Sequence, residues 1–329
     1  MRTAGYIGGL LGLALFVALV LRADLPAMLH TLESAGLQLL WLIPYRGLYF
    51  LLYALGWFYL LRPYDPGGRA GLGYLFWVTS VREAIDRLLP VASVGGGVVG
   101  VRLVRWRGLG GVCVSATVII EIVLTLIVSY VFTAAGLILL LELGAPGAHF
   151  RRMLLAFLIT LPAPILTVML LRYGSVFVRL EKFFGGFVNA GALTEGAATL
   201  DRELRACLGR WRGLLAAGLL QLAALTMGSF EVWFSLRLFG HPVSAGTAVI
   251  LESMTQAMRH LAFVVPAGLG VQEAALMLFG HALGISGELA LAVSMAKRMR
   301  EVLCGLPSLL SWQWSEGWRV RNPVRDSSG

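Results

Sequence analysis

The chain has 329 residues, 58% of them hydrophobic and only 14% charged, where a soluble domain carries about 25% charged residues. That balance excludes a soluble protein. The formal net charge of +9 comes without a basic soluble domain to dock a duplex, so it reads as the Lys/Arg bias that orients membrane helices and not as a nucleic-acid footprint.

The first predicted helix is 5–21, with no charge from Thr3 to Leu21. Its apolar run exceeds the ~7–15 residues of a signal-peptide core and lacks a small-x-small cleavage site, so it is expected to be retained. Residues 25–35 read as interfacial. The second helix, 36–61, carries Trp41, Tyr45, Tyr49, Tyr53 and Trp57, an aromatic ladder that winds around one side. It reads as helix packing with interface anchors, and a lipid-contact groove is the sharper alternative. Residues 62–69 form a Pro/Gly turn.

Residues 70–107 break the pattern. Two short apolar halves, 70–81 and 88–101, flank Arg82, Glu83, Asp86 and Arg87, and the second half contains Pro90 and Gly95, Gly96 and Gly97 before Arg102. This predicts a re-entrant hairpin or broken helix, which survives at membrane depth only when buried in protein or lining a wet cavity. A span at 108–141 interrupted only by Glu121, a loop, and a span at 153–171 kinked by Pro162 and Pro164 follow. Residues 172–212 hold seven basic and four acidic residues, with Leu193, Ala197, Leu200, Leu204, Leu208 and Trp211 on one stripe. They are expected to form a cytoplasmic amphipathic linker in the headgroup layer.

The second half repeats the oddity. A span at 213–236 holds Glu231. Residues 244–283 contain Glu252, Arg259, His260 and Glu273 around Pro266, Gly268 and Gly270, and a last span at 287–312 holds Lys297, Arg298, Arg300 and Glu301. A basic tail, 313–329, closes the chain. The expected fold is all-α and polytopic: one membrane domain of about six full spans plus two broken hairpins of opposite orientation, an inverted-repeat pattern that points to a midplane site. The expected halves are 1–171 and 213–312, and both termini are expected in the cytoplasm.

Ionisable residues at membrane depth cost roughly 2.5–3.5 kcal/mol each on insertion scales and so mark functional candidates. Lys297, Arg300 and Glu301 share a helix face, with Arg298 about 100° away. A ligand cavity is favoured over a packing network because bases outnumber the local acid. The broken helices would aim N–H groups at an anion, and their glycines would let a headgroup approach. Glu121 and Glu231 read first as neutral, hydrogen-bonded acids, with coupling-ion sites as the alternative. Cys113, Cys207 and Cys304 match no metal or disulfide spacing, and neither a metal nor a cofactor is expected. No nucleotide, zinc or nucleophile-elbow motif occurs, so an enzyme is not expected.

The run from His260 through Pro266, Gly268 and Gly270 to Glu273, followed by Lys297–Glu301, resembles the flippase-like family of the lysylphosphatidylglycerol synthase transmembrane region. The segment from Pro90 through Gly95 to Arg102 is similar to that family's first Pro/Gly segment, and the combination resembles most the hopanoid-associated branch. The resemblance implies movement of a polar or anionic lipid between leaflets of a bacterial inner membrane. It puts a headgroup at Arg82, Glu83, Arg87, Arg102, Arg259, His260, Glu273 and the Lys297–Glu301 group, with lipid-synthesis proteins as partners. It departs in two ways. The aminoacyl-transferase domain is not present before Gly329, so lysyl transfer is not expected. The family often has an acid where this chain has Gly97. The alternatives are a membrane-embedded lipid-modifying enzyme using Glu273 with His260, and a non-transporting scaffold.

Overall fold

A computed structural model describes residues 33, 35–89, 95–142, 148–177, 179, 191–262, 265 and 268–321. The first predicted helix, Pro90 and Pro266 lie outside these. The described residues are helical, without strands, and four helices are long and apolar enough to cross a membrane: Gly36–Tyr64, Gly111–Glu142, Leu154–Tyr173 and Trp211–Leu238. The chain is therefore a polytopic helical membrane protein. Large apolar side chains such as Leu158, Ile159, Ile165 and Met169 point outward, tolerable only against hydrocarbon.

Helix α1, Leu42–Leu61, follows a tight 3-10 turn at Gly36–Trp41. The predicted turn at 62–69 is closed by Asp65, whose carboxylate accepts the backbone N–H groups of Arg69 (3.0 Å) and Ala70 (2.7 Å). Helix α2, Leu72–Leu88, corrects the sequence reading. Arg82, Glu83, Asp86 and Arg87 do not interrupt a helix but ride on one, which ends at Leu88. They are tolerated there because each finds a partner. Helix α3, Gly95–Arg105, folds back antiparallel on α2, with Tyr74 donating to the Leu103 carbonyl at one end and the Gly96 N–H donating to Asp86 at the other.

Helix α4, Gly111–Glu142, is unbroken and about 48 Å long, well beyond the ~30 Å hydrocarbon core. The predicted kink appears as a break at Leu161 between α5, Ala148–Thr160, and α6, Pro162–Tyr173, where Pro162 opens the new helix. Helix α7, Gly191–Gly209, is amphipathic as expected, but the middle of its stripe packs on protein: it lies against α4 and α6, with Leu204 fully buried and Leu200 and Leu208 beside it, while Trp211 is exposed. Asp201 is buried and accepts the Phe177 N–H at 3.3 Å.

Helices α8, Trp211–Leu238, and α9, Ala245–Leu261, follow; the Ser244 side chain caps α9 by accepting the Thr247 N–H. Gly270, at φ 74°, turns the chain into α10, Val271–Ala282. The last helix, α11, Gly287–Arg321, runs nine residues past the expected end at 312, so Arg319 and Arg321 belong to its last turn and not to a separate tail. It is long enough to span, but its charged group keeps it out of the apolar set.

Helices α1–α4 and α8–α11 share one pattern of long, short, short, long, and their packing repeats. The contact of α2 with α11 is matched by that of α9 with α4, and the pairings α2–α3 and α9–α10 correspond. The counterparts α1 and α8 pack on each other antiparallel, Tyr45 meeting Phe230, Phe50 clustering with Ala224 and Gly56 facing Ala217. The two sets of four therefore run in opposite directions about a shared α1–α8 seam.

Candidate functional site

The charge on α2, α9 and α11 is distributed between a cavity and a network behind it. The cavity, about 250 Å³, lies between the two sets of helices, walled by α1, α2, α4, α8 and α9 and by Val265 and Gly268. Tyr49 and Tyr53 from the aromatic ladder line it, with ring centroids 4.8 Å apart. The ladder divides by depth: Trp41 is exposed, Tyr45 donates to the Met227 carbonyl, and Trp57 is buried and donates to Thr117.

Three carboxylates, Glu83, Asp86 and Glu121, and three arginines, Arg82, Arg87 and Arg259, line this cavity. Most are consumed. Arg82 pairs with Glu121 at 2.7 Å, and Glu83 accepts from Arg87 (3.0 Å) and Arg46 (2.5 Å). Asp86 accepts the Gly96 N–H at 2.9 Å, capping the start of α3. Arg259 differs. Its guanidinium donates to the neutral Gln272 at 3.1 Å and pairs with no carboxylate among the described residues. Gln272 in turn donates to Ser294, and Ser294 donates to Glu273. This relay fixes Arg259 without neutralising it. The Thr79 hydroxyl, also on the cavity wall, is buried and lacks a hydrogen-bond partner among the described residues.

Behind the cavity, a connected network joins the two sets of helices. Arg87 approaches Glu301 at 4.0 Å; Arg298 bridges Glu301 (3.1 Å) and Glu273 (3.2 Å); Arg300 pairs with Glu231 at 2.8 Å. Lys297 pairs with Glu252. The local excess of base on α11 that favoured a cavity from sequence is thus matched by acids from α8, α9 and α10.

The resemblance put a headgroup at Arg259, Glu273, Lys297, Arg300 and Glu301 alike, and the structure separates them. All avoid lipid, but only Arg259 lines the cavity, and the others are buried in ion pairs. Of the remaining candidates, Arg82, Glu83, Arg87, His260, Gly268 and Glu121 line it, while Glu231 and Arg298 belong to the network. Glu121 and Glu231 were isolated only along the sequence; each has an arginine within 2.8 Å. Arg102 lies elsewhere, exposed and paired with Glu316 at 3.0 Å. Gly95 opens α3, and Gly96 is not an opening for a headgroup: a Cβ there would stand 2.5 Å from the Arg82 carbonyl oxygen. Gly268 sits against Arg259, and Gly270 is the turn into α10.

Sequence reasoning missed Gln256 on the cavity wall and Arg46, whose guanidinium lies 3.7 Å over the Tyr49 ring, and it noted Asp86 without nominating it as a site residue. Arg46 had a signal: it is the one charge in an otherwise apolar span, at 42–61.

The family model described as the lysylphosphatidylglycerol synthase TM region matches residues 7–306. No curated protein and no solved structure matches the chain.

Proposed function

The chain belongs to the lysylphosphatidylglycerol synthase transmembrane-region family, tied to lipid metabolism or transport, and from that premise we propose that it moves an anionic lipid between leaflets. The carrying observation is Arg259, a cation on the wall of a cavity between the helix sets, held by the neutral Gln272 and left without a carboxylate among the described residues. A half-buried guanidinium without a counterion attracts an anion that reaches it, and a phosphate offers the planar fork two acceptors. Arg82 and Arg87, already paired, add positive potential around it.

In this reading the two sets of helices rock about the antiparallel α1–α8 seam and expose the cavity to each leaflet in turn, as inverted repeats do. The chain sits in a bacterial inner membrane with both termini cytoplasmic, and it carries out no covalent chemistry. The narrower assignment to a hopanoid-related lipid rests on the likeness of the Pro/Gly segments alone.

Proteoliposomes holding the full chain and a headgroup-labelled phosphatidylglycerol test this. Wild type should accelerate leaflet exchange of this lipid over labelled phosphatidylcholine. Arg259→Gln should remove at least about tenfold of that acceleration, as expected when a desolvated charge contact is lost. Exchange by Arg259→Gln at the wild-type rate would sink the proposal. Conversion of radiolabelled lipid to a new product would replace it with the enzyme reading.

A further inference from the structure

A headgroup at Arg259 leaves the hydrocarbon chains to be placed. Directly beside the polar cavity lies a second one, about 170 Å³, between α4, α5 and α9. Its lining is mainly apolar, with Leu126, Leu137, Phe157, Met254 and Phe279 among the walls. His260 lines both cavities, so one side chain stands between the charged space and the apolar one. Along α4 the change is abrupt: Glu121 and Thr125 face the first cavity, and the second runs from Leu126 to Leu137. That stretch rises about 16 Å, close to the ~15 Å half-thickness of the hydrocarbon core that one leaflet's acyl chain fills.

Four hydroxyl-bearing residues interrupt the apolar lining, Ser129, Tyr130, Thr133 and Thr160, and one of them stands apart. Ser129 lines this cavity and is 5% exposed, and its buried hydroxyl lacks a hydrogen-bond partner among the described residues. Its neighbours differ: Thr133 donates to the Ser129 carbonyl, and Tyr130 donates to the Thr160 carbonyl. A buried hydroxyl without a partner carries a desolvation cost that a ligand acceptor would remove. An ester carbonyl at the head of an acyl chain is such an acceptor.

We propose that the second cavity holds one acyl chain of the lipid whose phosphate lies at Arg259. The chain leaves the polar cavity past His260, its ester accepts a hydrogen bond from Ser129, and it lies along α4 between α5 and α9. This rests on the headgroup reading above and specifies a diacyl phospholipid bound as a unit, one chain in protein and the other in bilayer.

The test uses the full chain in phosphatidylcholine nanodiscs, with phosphatidylglycerol carrying a terminal diazirine on one acyl chain. Photolysis should label residues 126–137 and 254–261. Arg259→Gln should remove that labelling, and Ala257→Trp, which fills the cavity from α9, should reduce it to background. Thr160→Phe fills it from α5 and decides the matter if Ala257→Trp does not fold. Ser129→Ala should lower labelling about fivefold, the worth of one neutral hydrogen bond. Equal labelling by a phosphatidylcholine diazirine probe, or labelling spread over the outer faces of α5 and α6 and insensitive to both filling variants, overturns the proposal as ordinary bilayer contact. If Arg259-dependent leaflet exchange persists while this cavity stays unlabelled, the chain path is wrong and the headgroup site stands. If Arg259→Gln changes neither readout, both fall.

Discussion

Glu121 and Lys297 each stand ten residues into counterpart helices, α4 and α11, and carry opposite charges. Each pairs with the first short helix of its own set, Glu121 with Arg82 on α2 and Lys297 with Glu252 on α9. The repeat keeps the bridge and exchanges its ends. Glu121 lines the cavity, whereas Lys297 is 4% exposed and lies in the network, so the same bridge faces a ligand space in one set and packs the core in the other.

The Lys297–Glu252 bridge is therefore expected to serve stability. Lys297→Met leaves Glu252 buried without its cation, and breaking such a pair costs about 3–5 kcal/mol. Folded yield after detergent extraction should fall sharply. The double variant Lys297→Met/Glu252→Leu should recover most of it, because a buried pair replaced by apolar groups is often neutral. No recovery would show that the charges are needed beyond each other.

Arg300→Ala carries the same expectation, for a stated reason. Arg300 is 4% exposed, and its loss strands Glu231 and weakens the hold on Glu301. The variant should lose folded protein before it loses lipid exchange per folded molecule. Arg259→Gln should do the reverse, since only the hydrogen bond to Gln272 is lost. A well-folded Arg300→Ala with abolished exchange would move Arg300 from the network into the transport site.

Gly96→Ala should destabilise by about 1–3 kcal/mol through overpacking. Its Cβ would meet the Arg82 carbonyl oxygen at 2.5 Å, and backbone cannot swing away as a side chain can. Gly73→Ala is the control, because nothing lies within 4 Å of its Cβ position. Thermal unfolding of both in one detergent decides this; equal midpoints would show that α3 moves off α2 freely.

Cys207 should react slowly with maleimides from either side of the membrane. It is 4% exposed, and its sulfur lies 3.3 Å from the Tyr64 hydroxyl. Burial raises the thiol above its ordinary value, against the lowering effect of the Tyr64 hydrogen bond and Arg210, and only the thiolate attacks. Labelling of the folded protein should therefore rise with pH only beyond the range where an unfolded thiol already reacts. The sign for stability follows: the contribution is fully present below the unfolded thiol value and is lost as pH rises through the folded one. Fast labelling at neutral pH without loss of fold would contradict the buried placement.

The orientation of α7 needs a different probe for the same reason. Arg202 is exposed on that helix, and Arg202→Cys in a background without the native cysteines should be labelled from the cytoplasmic side only. Labelling in intact cells from outside would reverse the expected topology.

The sequence by itself determined the solvent and the helical plan. Charge-free runs such as 153–171 and 213–230 allow no other environment, and in lipid the backbone must satisfy its own hydrogen bonds, so those runs become helices. It also marked the two short-helix regions, because Pro and Gly act on local backbone geometry, but it misplaced the first interruption at residues 82–87, which ride on a continuous helix. Only the tertiary structure decided what the buried charges do. Glu121 and Glu231 look solitary because their partners, Arg82 and Arg300, lie 39 and 69 residues away along the chain. Lys297 to Glu301 look like an open basic site because Glu231, Glu252 and Glu273 reach them from three other helices. Pairing depends on distance in space, which helix periodicity cannot supply, and for that reason Arg259, the one cavity-lining arginine left without a carboxylate among the described residues, became visible only once the helices were packed.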